Sequence, residues 1–336
     1  MATDFMETLR ERARISPQRI VFPESGEENI IQAARQVLDQ GLAKPILLGD
    51  PEELAERSGR FGLDLDGIEI VAVGDEGVRA ELAEECHVLI PEISLKGAER
   101  KLRSSLNVGS YLVAAGRADA LVAGLEHATQ DVILASMTFI GMQEGISTPS
   151  SLFLMRVPGF DGPEGELIVF ADCGVAVAPD AGELADIAIA TAHTVRALLE
   201  WEPRIALLSF STRGSGDHES VDRIREALRM VQDREPRLLI DGEFQVDAAI
   251  VPAVAERKIP GDSPVAGRAN ILIFPDLNAG NIAYKCVQRF AKADAFGPFL
   301  QGFAKTVSDL SRGSSVADIV GVATMASVHA QGLKRL

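Results

Sequence analysis

The side chains that could do chemistry most directly lie near the C-terminus, in the segment 309–320. Ser311 and Arg312 precede Ser315, and Asp318 follows Ser315 at the three-residue spacing of a helix capping box. A hydroxyl and a guanidinium beside the unpaired N–H groups of a helix start can bind an anion, whereas a capping box alone needs no ligand. The segment therefore predicts either an anion-binding helix start or a purely structural one.

A second set of hydrogen-bond donors is the run Ser211, Thr212, Arg213 and Gly214, which follows a predicted strand and precedes a predicted helix. A phosphate-binding loop has this placement. The run matches neither a Walker A sequence nor G-x-G-x-x-G, so a turn built from small residues explains it equally well.

A third polar loop, 274–281, contains Asn278 and Asn281 and leads into a predicted helix that carries Arg289. Asp276 or Asn278 can cap this helix, and a basic residue near a helix C-terminus is favourable without any ligand. The loop is therefore compatible with both a binding role and a structural one.

The three cysteines and five histidines are scattered, without C-x-x-C or H-x-x-x-H spacing, and predict neither a metal site nor a disulfide framework. Cys173 could act as an acyl-accepting nucleophile only with a base, and no histidine is near it in sequence. We therefore expect an inert, buried thiol at Cys173, no metal and no cofactor.

Short β-branched or apolar runs alternate with amphipathic stretches, which predicts an α/β fold with mainly parallel strands. In such sheets the ligand crevice lies beyond the carboxyl ends of the strands, where the polar loops and the segment 124–127 are found. The predicted strands are 19–22, 45–48, 68–73, 118–123, 152–157, 167–171, 204–210, 237–240, 271–274 and 296–301, and the predicted helices include 27–40, 183–199, 220–232, 279–291 and 315–329.

The length of 336 residues exceeds the usual size of a single core, and 46% hydrophobic with 24% charged residues is typical of a folded globular chain. We expect two domains: 1–146 plus 299–336 as the first α/β domain, and 147–298 as the second. Small and turn residues in 141–151 and the pair Gly297-Pro298 mark the expected crossings.

The formal net charge of −16 disfavours binding to nucleic acid or to an anionic membrane. The N-terminus lacks the basic start and apolar run of a signal peptide, and no uninterrupted apolar stretch is long enough to span a bilayer. We expect a cytoplasmic protein whose partners are small molecules.

Several blocks, in the same order along nearly the whole chain, resemble the phosphate acetyl/butyryltransferase family, and most closely its acetyl-transferring members. The resemblance implies a homodimer whose subunits each have two α/β/α domains around a cleft, with a fold similar to that of the isocitrate and isopropylmalate dehydrogenases. The blocks with the strongest resemblance are 170–173 (FADC), 209–215 (SFSTRGS), 262–267 (DSPVAG), 274–281 (FPDLNAGN) and 309–313 (DLSRG).

The activity that the resemblance implies is transfer of an acetyl-sized acyl group between phosphate and the thiol of coenzyme A, which is a substrate rather than a cofactor. In that family, residues matching Ser311, Arg312 and Asp318 line the site where the thiol meets the acyl phosphate. Asp318 would accept the thiol proton, Ser311 would orient the sulfur, and Arg312 would stabilise the oxyanion. The other expected substrate-binding residues are Arg289, Arg213, Ser211, Thr212, Gly214, Asn278, Asn281 and His127.

The sequence departs from the family pattern at two anion-binding positions. Where the family commonly reads H-T-T-A-D-x-[IL]-R-P, this chain reads HATQDVILA from His127, so that Leu134 replaces an arginine. Ile93, three residues before Lys96, replaces a second one. These losses leave open a paralogue that binds coenzyme A or acyl phosphate as a sensor. A butyryltransferase-like preference also stays open, because a sequence does not give the volume of the acyl pocket. A nicotinamide-dependent dehydrogenase is disfavoured, because no G-x-G-x-x-G follows the early strands.

Overall fold

The computed structural model describes residues 5–259 and 261–335. The described chain is a mixed α/β structure, as predicted. In chain order its elements are α1 (Phe5–Ile15), β1 (Gln18–Phe22), α2 (Glu28–Asp39), β2 (Ala43–Leu48), α3 (Pro51–Gly59), β3 (Glu69–Val71), α4 (Glu76–Leu89), α5 (Leu95–Lys101), α6 (Ser105–Ala114), β4 (Ala120–Ala123), α7 (Thr129–Phe139), β5 (Ser150–Arg156), β6 (Leu167–Ala171), α8 (Ala181–Leu199), β7 (Arg204–Leu208), α9 (Glu219–Arg234), β8 (Leu239–Phe244), α10 (Val246–Ile250), α11 (Pro252–Lys258), β9 (Ile271–Ile273), α12 (Leu277–Phe290), β10 (Asp294–Gln301), β11 (Thr306–Asp309) and α13 (Val316–Leu333).

The chain forms two compact units. Unit 1 comprises the described residues up to Gly141 and from Phe303 onward, and unit 2 is Met142–Gly302. The crossings expected from the sequence, after residues 146 and 298, differ from these limits by a few residues. In the sequence, unit 2 is thus inserted into unit 1 between helix α7, which follows β4, and strand β11.

Unit 1 has a parallel sheet with the strand order β3-β2-β1-β4-β11. The register places Ala123, the last residue of β4, beside Asp309, the last residue of β11. Because parallel strands end at one edge, the loops that follow β1, β4 and β11 begin close together. Helix α13 packs on β1, β4 and β11, and α6 packs on β1 and β4.

By length and composition α13 is apolar enough to cross a membrane, although no such stretch was expected from the sequence. Most of its residues are buried within unit 1, where the helix packs against α1 and α2 as well as the sheet. The burial accounts for its apolar composition as that of a core helix.

Unit 2 has the strand order β10-β5-β6-β9-β7-β8. The strands β6, β9, β7 and β8 are parallel, whereas β5 runs antiparallel to both of its neighbours. Helix α8 packs on β5, β6, β9 and β10, and α12 packs on β5, β6 and β10. The core of this unit includes the stacked rings of Phe153 and Tyr284, whose centroids are 4.3 Å apart.

Every strand predicted from the sequence overlaps an observed one, but β11 was not predicted. Its sequence TVSD contains one apolar residue, although all four residues are buried. The predicted strand 237–240 is displaced toward the C-terminus in the structure, because β8 continues through Asp241, Gly242 and Glu243. Acidic residues in a buried strand need partners that lie far away in the sequence, so a local pattern does not predict them.

Candidate active site

The start of α13 holds the three residues that the sequence predicted as catalytic. The Oδ2 atom of Asp318 accepts hydrogen bonds from Ser315 N at 2.9 Å and from Ser315 Oγ at 2.7 Å. The N–H of Asp318 donates to Ser315 Oγ at 3.2 Å, which completes the capping box. Ser311 and Arg312 are exposed in the loop between β11 and this helix. The structure thus brings the three residues into one loop and helix start, and it confirms the capping box.

A buried carboxylate that the sequence did not predict organises the loop that carries His127. Glu24 follows β1 and is 1% exposed. Its oxygens accept hydrogen bonds from the backbone N–H groups of residues 124–127 at 2.8–3.1 Å, and from His127 Nδ1 at 2.8 Å. Burial raises the pKa of Glu24, but the hydrogen bonds from His127, Leu125 and Glu126 outweigh burial, and the net shift is downward. The loop is held by an anion that belongs to the protein.

A second buried carboxylate, also not predicted, lies at the end of β11. Asp309 is 4% exposed, and its Oδ2 atom accepts a hydrogen bond from Thr129 Oγ1 at the start of α7. Its Oδ1 atom is buried without a partner among the described residues. Burial raises the pKa of Asp309 to about 6, and the nearby Glu24 carboxylate adds to the effect.

Gly124 is required where the end of β4 meets the end of β11. It has a φ of +116°, and a Cβ atom added there would lie 2.3 Å from Asp309 Oδ1 and 2.6 Å from the backbone of Leu310. Any side chain would push the β4 loop away from the end of β11. The packing therefore fixes the position of the segment 124–127 relative to the loop that leads to Ser311.

Two cavities of unit 1 lie near the residues that differ from the family pattern. One, of about 260 Å³, is lined by His127, Leu134, Lys101, Asp131 and other residues of α6 and α7. The other, of about 430 Å³, is lined by Lys96, Arg100, Arg103 and their neighbours on and beside α5. Cations are therefore present at both cavities even though Leu134 and Ile93 replace family arginines.

In unit 2, the predicted phosphate-binding loop is occupied by a carboxylate of the protein itself. The Oε1 atom of Glu243 accepts hydrogen bonds from Ser211 Oγ at 2.7 Å and Gly214 N at 2.9 Å. Arg225 donates to both oxygens, at 3.0 and 3.1 Å. Burial opposes ionisation, but the bonds from Arg225, Ser211 and Gly214 prevail and lower the pKa of Glu243 to about 2.

The other residues predicted in this loop also have internal partners. Arg213 forms an ion pair with the buried Asp241, which also accepts a hydrogen bond from Ser263 Oγ at 2.6 Å. Thr212 Oγ1 accepts a hydrogen bond from Gln245 N at 2.9 Å. These internal partners are sufficient to explain why the loop contains polar and small residues. A substrate-binding role stays a prediction for Ser211, Thr212, Arg213 and Gly214.

The residues predicted at the start of α12 have mixed roles. Asp276 is the cap and accepts a hydrogen bond from Ala279 N at 3.0 Å. Asn281 Nδ2 donates to the carbonyl of Cys173 at 3.1 Å, whereas Asn278 is exposed. Arg289 is exposed in the last turn of this helix. Of the residues predicted to bind substrate on this loop and helix, Asn278 and Arg289 are thus exposed, and no described residue forms a hydrogen bond with their side chains.

Cys173 is fully buried, and burial raises the pKa of its thiol. A thiol held protonated in an apolar core is a poor nucleophile. The structure therefore agrees with the expected inert thiol. In the described part of the chain, no group of three or more His, Cys, Asp or Glu residues is placed to hold a metal ion.

Known proteins are similar to this chain over almost its whole length. The model of the phosphate acetyl/butaryl transferase family matches residues 4–327. The phosphate acetyltransferase of Thermoanaerobacterium thermosaccharolyticum is 43% identical over 328 residues, which cover 97% of this chain and 99% of the relative. The crystal structure of a phosphotransacetylase from Streptococcus pyogenes has a TM-score of 0.90 at 39% identity, covering 98% of this chain and 99% of that one.

A second solved structure bears on the fold alone. The 4-hydroxythreonine-4-phosphate dehydrogenase of Klebsiella pneumoniae has a TM-score of 0.55 at 11% identity, over 94% of this chain and all of its own. The predicted likeness to a dehydrogenase fold is confirmed, without any implication of dehydrogenase activity. On the match over nearly its whole length, the chain belongs to the phosphate acetyl/butaryl transferase family and is an acyltransferase.

Proposed function

We propose that this protein interconverts acetyl-CoA plus phosphate and acetyl phosphate plus coenzyme A. The observation that carries the proposal is the full-length similarity to proteins named phosphate acetyltransferase. The acyl group would pass directly from one substrate to the other, with coenzyme A as a substrate and with no cofactor.

The capping box supports a role of Asp318 as the general base. Its two hydrogen bonds from Ser315 both reach Oδ2, and no described residue donates to Oδ1. The cap therefore fixes the carboxylate while leaving one oxygen to accept a proton. The thiolate is the nucleophile in thioester chemistry, and a free thiol is largely protonated at neutral pH, so a positioned base is needed.

Ser311 and Arg312 supply the other groups that the reaction requires. The hydroxyl of Ser311 is exposed and can orient a thiol or thiolate by a hydrogen bond. The guanidinium of Arg312 is exposed and forms no ion pair within the described residues, so its donors can stabilise the oxyanion that develops on the acyl carbonyl. The positive end of the α13 helix dipole adds a favourable field for negative charge near these side chains.

We assign phosphate binding to Arg289, on unit 2, from the family resemblance. Its guanidinium is exposed and free of ion pairs within the described part of the chain, which supports an anion-binding role. Arg213 has weaker support, because Asp241 already compensates its charge.

Acetyl is favoured over longer acyl groups as the transferred group. The relatives at about 40% identity are named for acetyl transfer. A branched-chain phosphotransacylase from Enterococcus faecalis is only 19% identical and supports the fold alone. We further propose a cytoplasmic location, supported by three free cysteines, which suit a reducing compartment.

A thiol-release assay with purified protein tests this function. Acetyl-, propionyl- and butyryl-CoA are each incubated with phosphate, with arsenate and with neither anion. We expect release of coenzyme A that depends on phosphate or arsenate and is fastest with the acetyl donor. If folded protein turns over none of the donors yet binds coenzyme A by calorimetry, the function is that of a sensor, and the proposed activity is wrong.

A further inference from the structure

The loop that carries Ser311 and Arg312 is bonded to a side chain from a distant part of unit 1. Asn29 lies in the first turn of α2, and its Nδ2 atom donates a hydrogen bond to the backbone carbonyl of Ser314 at 3.1 Å. The two residues are 285 positions apart in the sequence. Because a carbonyl oxygen only accepts hydrogen bonds, the amide nitrogen of Asn29 must face it. Asn29 therefore joins the start of α2 to the loop between β11 and α13.

This loop has few other hydrogen bonds that fix its position. At its start Leu310 N donates to the carbonyl of Ala123 at 2.7 Å, and at its end the capping box of α13 begins. Within it, Ser314 N donates to the carbonyl of Ser311 at 2.9 Å, which closes a β-turn. Of the described side chains outside the loop, Asn29 alone forms a hydrogen bond with the backbone of this turn.

The start of α2 is itself fixed to the sheet. The Oγ atom of the buried Ser25, which precedes α2, accepts a hydrogen bond from Leu48 N at the end of β2, at 2.8 Å. The same hydroxyl donates to the carbonyl of Phe22 at the end of β1, at 2.6 Å. Asn29 thus connects the turn to a part of the chain whose position β1 and β2 determine.

The hydrogen bond from Asn29 is not what holds α2 on α13. The two helices pack against each other, and the buried residues of α2 are all apolar: Ile30, Ile31, Ala33, Ala34 and Val37. Burial of such a face supplies the association of the helices. Asn29 is only half-buried, and its partner Ser314 belongs to a turn whose other residues are exposed. The effect of the bond therefore falls on the turn rather than on the packing of unit 1.

We infer that Asn29 is a positioning residue for acyl transfer, because its hydrogen bond to Ser314 holds the turn that presents Ser311 and Arg312. This inference rests on the proposed function, in which these two side chains contact the sulfur and the oxyanion. Such contacts stabilise the transition state, and a displacement of about 1 Å can slow a reaction about a hundredfold. Loss of the hydrogen bond should therefore appear in kcat more than in KM.

Two substitutions remove the donor in different ways. Asn29→Leu replaces the amide by an apolar group, and Asn29→Asp keeps its shape but places a carboxylate against the carbonyl. We expect both to lower kcat about ten- to a hundredfold. The melting temperature should stay close to that of the wild type, since leucine favours a helix more than asparagine does and an acidic residue suits the first turn. A loss of kcat confined to one variant would be an effect of volume or of charge and would overturn the inference.

Gln36→Leu is the matched control. Gln36 is exposed on the same helix, and its side chain forms no hydrogen bond with a described residue. It should leave kcat unchanged. In an Arg312→Ala background, Asn29→Leu should lower kcat by a smaller factor than in the wild type, because the guanidinium that it positions is absent. The same factor in both backgrounds would mean that Asn29 acts independently of the turn, which contradicts the inference.

Hydrogen exchange keeps this test independent of turnover. The exchange rate of the Ser314 amide, whose N–H closes the turn, is measured by NMR without substrates. We expect it to rise about two- to tenfold in Asn29→Leu, the effect of losing one hydrogen bond, and to stay unchanged in Gln36→Leu. Unchanged exchange in Asn29→Leu contradicts the inference, whatever its kcat. Faster exchange in that variant, together with a folded wild type that transfers no acyl group, contradicts only the proposed function.

Discussion

At the scale of single residues, Asp318 combines an observed capping role with a proposed catalytic one, and the two roles make different demands on one carboxylate. Its Oδ2 atom serves the capping box, and its Oδ1 atom has no partner among the described residues. The sequence presented capping and catalysis as alternatives, because spacing alone does not show which oxygen is used. The structure makes them compatible.

We predict that Asp318→Asn lowers kcat by about 10²–10⁴-fold, the range for loss of a positioned general base. The amide keeps a similar shape and cap oxygen, so the free energy of unfolding should fall by no more than about 1 kcal/mol. The matched control is Glu183→Gln, which alters the other capping box, formed with Asp180 on α8. Steady-state kinetics and urea unfolding distinguish the two roles. A normal kcat with lowered stability would leave Asp318 as a cap alone.

Leu134 is a second residue whose role can be measured. It is 63% exposed and lines the cavity of about 260 Å³, at the position of a family arginine. We predict a high KM for coenzyme A or acetyl phosphate in the wild type, and a KM about ten- to a hundredfold lower in Leu134→Arg, because the arginine adds a charge-assisted hydrogen bond to phosphate. Met137→Arg, an exposed position on the same helix, is the control for a general charge effect.

A wild-type KM in the low micromolar range that Leu134→Arg leaves unchanged would show that the lost arginine is compensated. Arg100 and Arg103 are then the residues to test, since they line the neighbouring part of unit 1 near α5 and form no ion pairs within the described residues.

At the scale of elements, buried carboxylates hold the loops that follow several strands. Glu24 binds the loop after β4, and Glu243 binds the loop after β7. Asp172 plays the same part after β6, where it accepts hydrogen bonds from Ser151 and from the backbone of residues 174–176. These loops look like ligand-binding loops in the sequence, because their backbone N–H groups do bind an anion, but that anion is a side chain.

The sequence was sufficient for the type and order of most elements, since hydrophobic runs and helical patterns are local. The sequence did not predict the role of Glu24 as a buried carboxylate that binds a loop, because Glu24 lies 100 residues from Gly124. Nor did it predict the buried Asp309, which lies in the unpredicted β11. In both cases the decisive partner is brought close only by the parallel pairing of β1, β4 and β11. The proposed catalytic roles of Ser311, Arg312 and Asp318 come from the resemblance rather than from any local pattern.

The buried Asp309 gives a prediction for the dependence of stability on pH. Its pKa is raised to about 6 in the fold, above the value near 3.9 of an unfolded chain. The folded state therefore holds its proton more tightly, so its contribution to stability is complete below about pH 4 and is lost as pH rises through about 6, by up to about 3 kcal/mol.

Asp309→Asn does not titrate, so the difference in unfolding free energy between the variant and the wild type should shift in favour of the variant from pH 4 to pH 7. The difference isolates Asp309, because other groups that titrate here, such as the buried His329, are common to both proteins. Urea unfolding at several pH values gives this quantity. Parallel curves for the two proteins would mean that Asp309 has an ordinary pKa in the fold.

At the scale of the whole molecule, α12 exposes an apolar stripe. Ile282, Cys286 and Phe290, spaced four residues apart, are all exposed, and Phe290 is 85% exposed. Residues at this spacing lie on one face of a helix. We propose that a second copy of the chain covers this stripe, in the homodimer that the family resemblance implies.

We predict that Phe290→Asp converts a dimer into a monomer, because it places a charge in an apolar interface. Val88→Asp is the control, since Val88 is similarly exposed on α4 of unit 1 and should leave the dimer intact. Sedimentation equilibrium measures the mass of each. A monomeric wild type, or a dimer that survives Phe290→Asp, would place the interface elsewhere or remove it.

The most direct test of the proposed activity is to follow acetyl-CoA and inorganic phosphate by ³¹P NMR in the presence of purified protein. We predict that an acetyl phosphate signal appears as the phosphate signal falls, in equal amount to the coenzyme A released, and that Asp318→Asn slows its appearance by the factor given above. Hydrolysis of acetyl-CoA without acetyl phosphate, or no reaction by the folded wild type, would contradict phosphate acyl transfer by this protein.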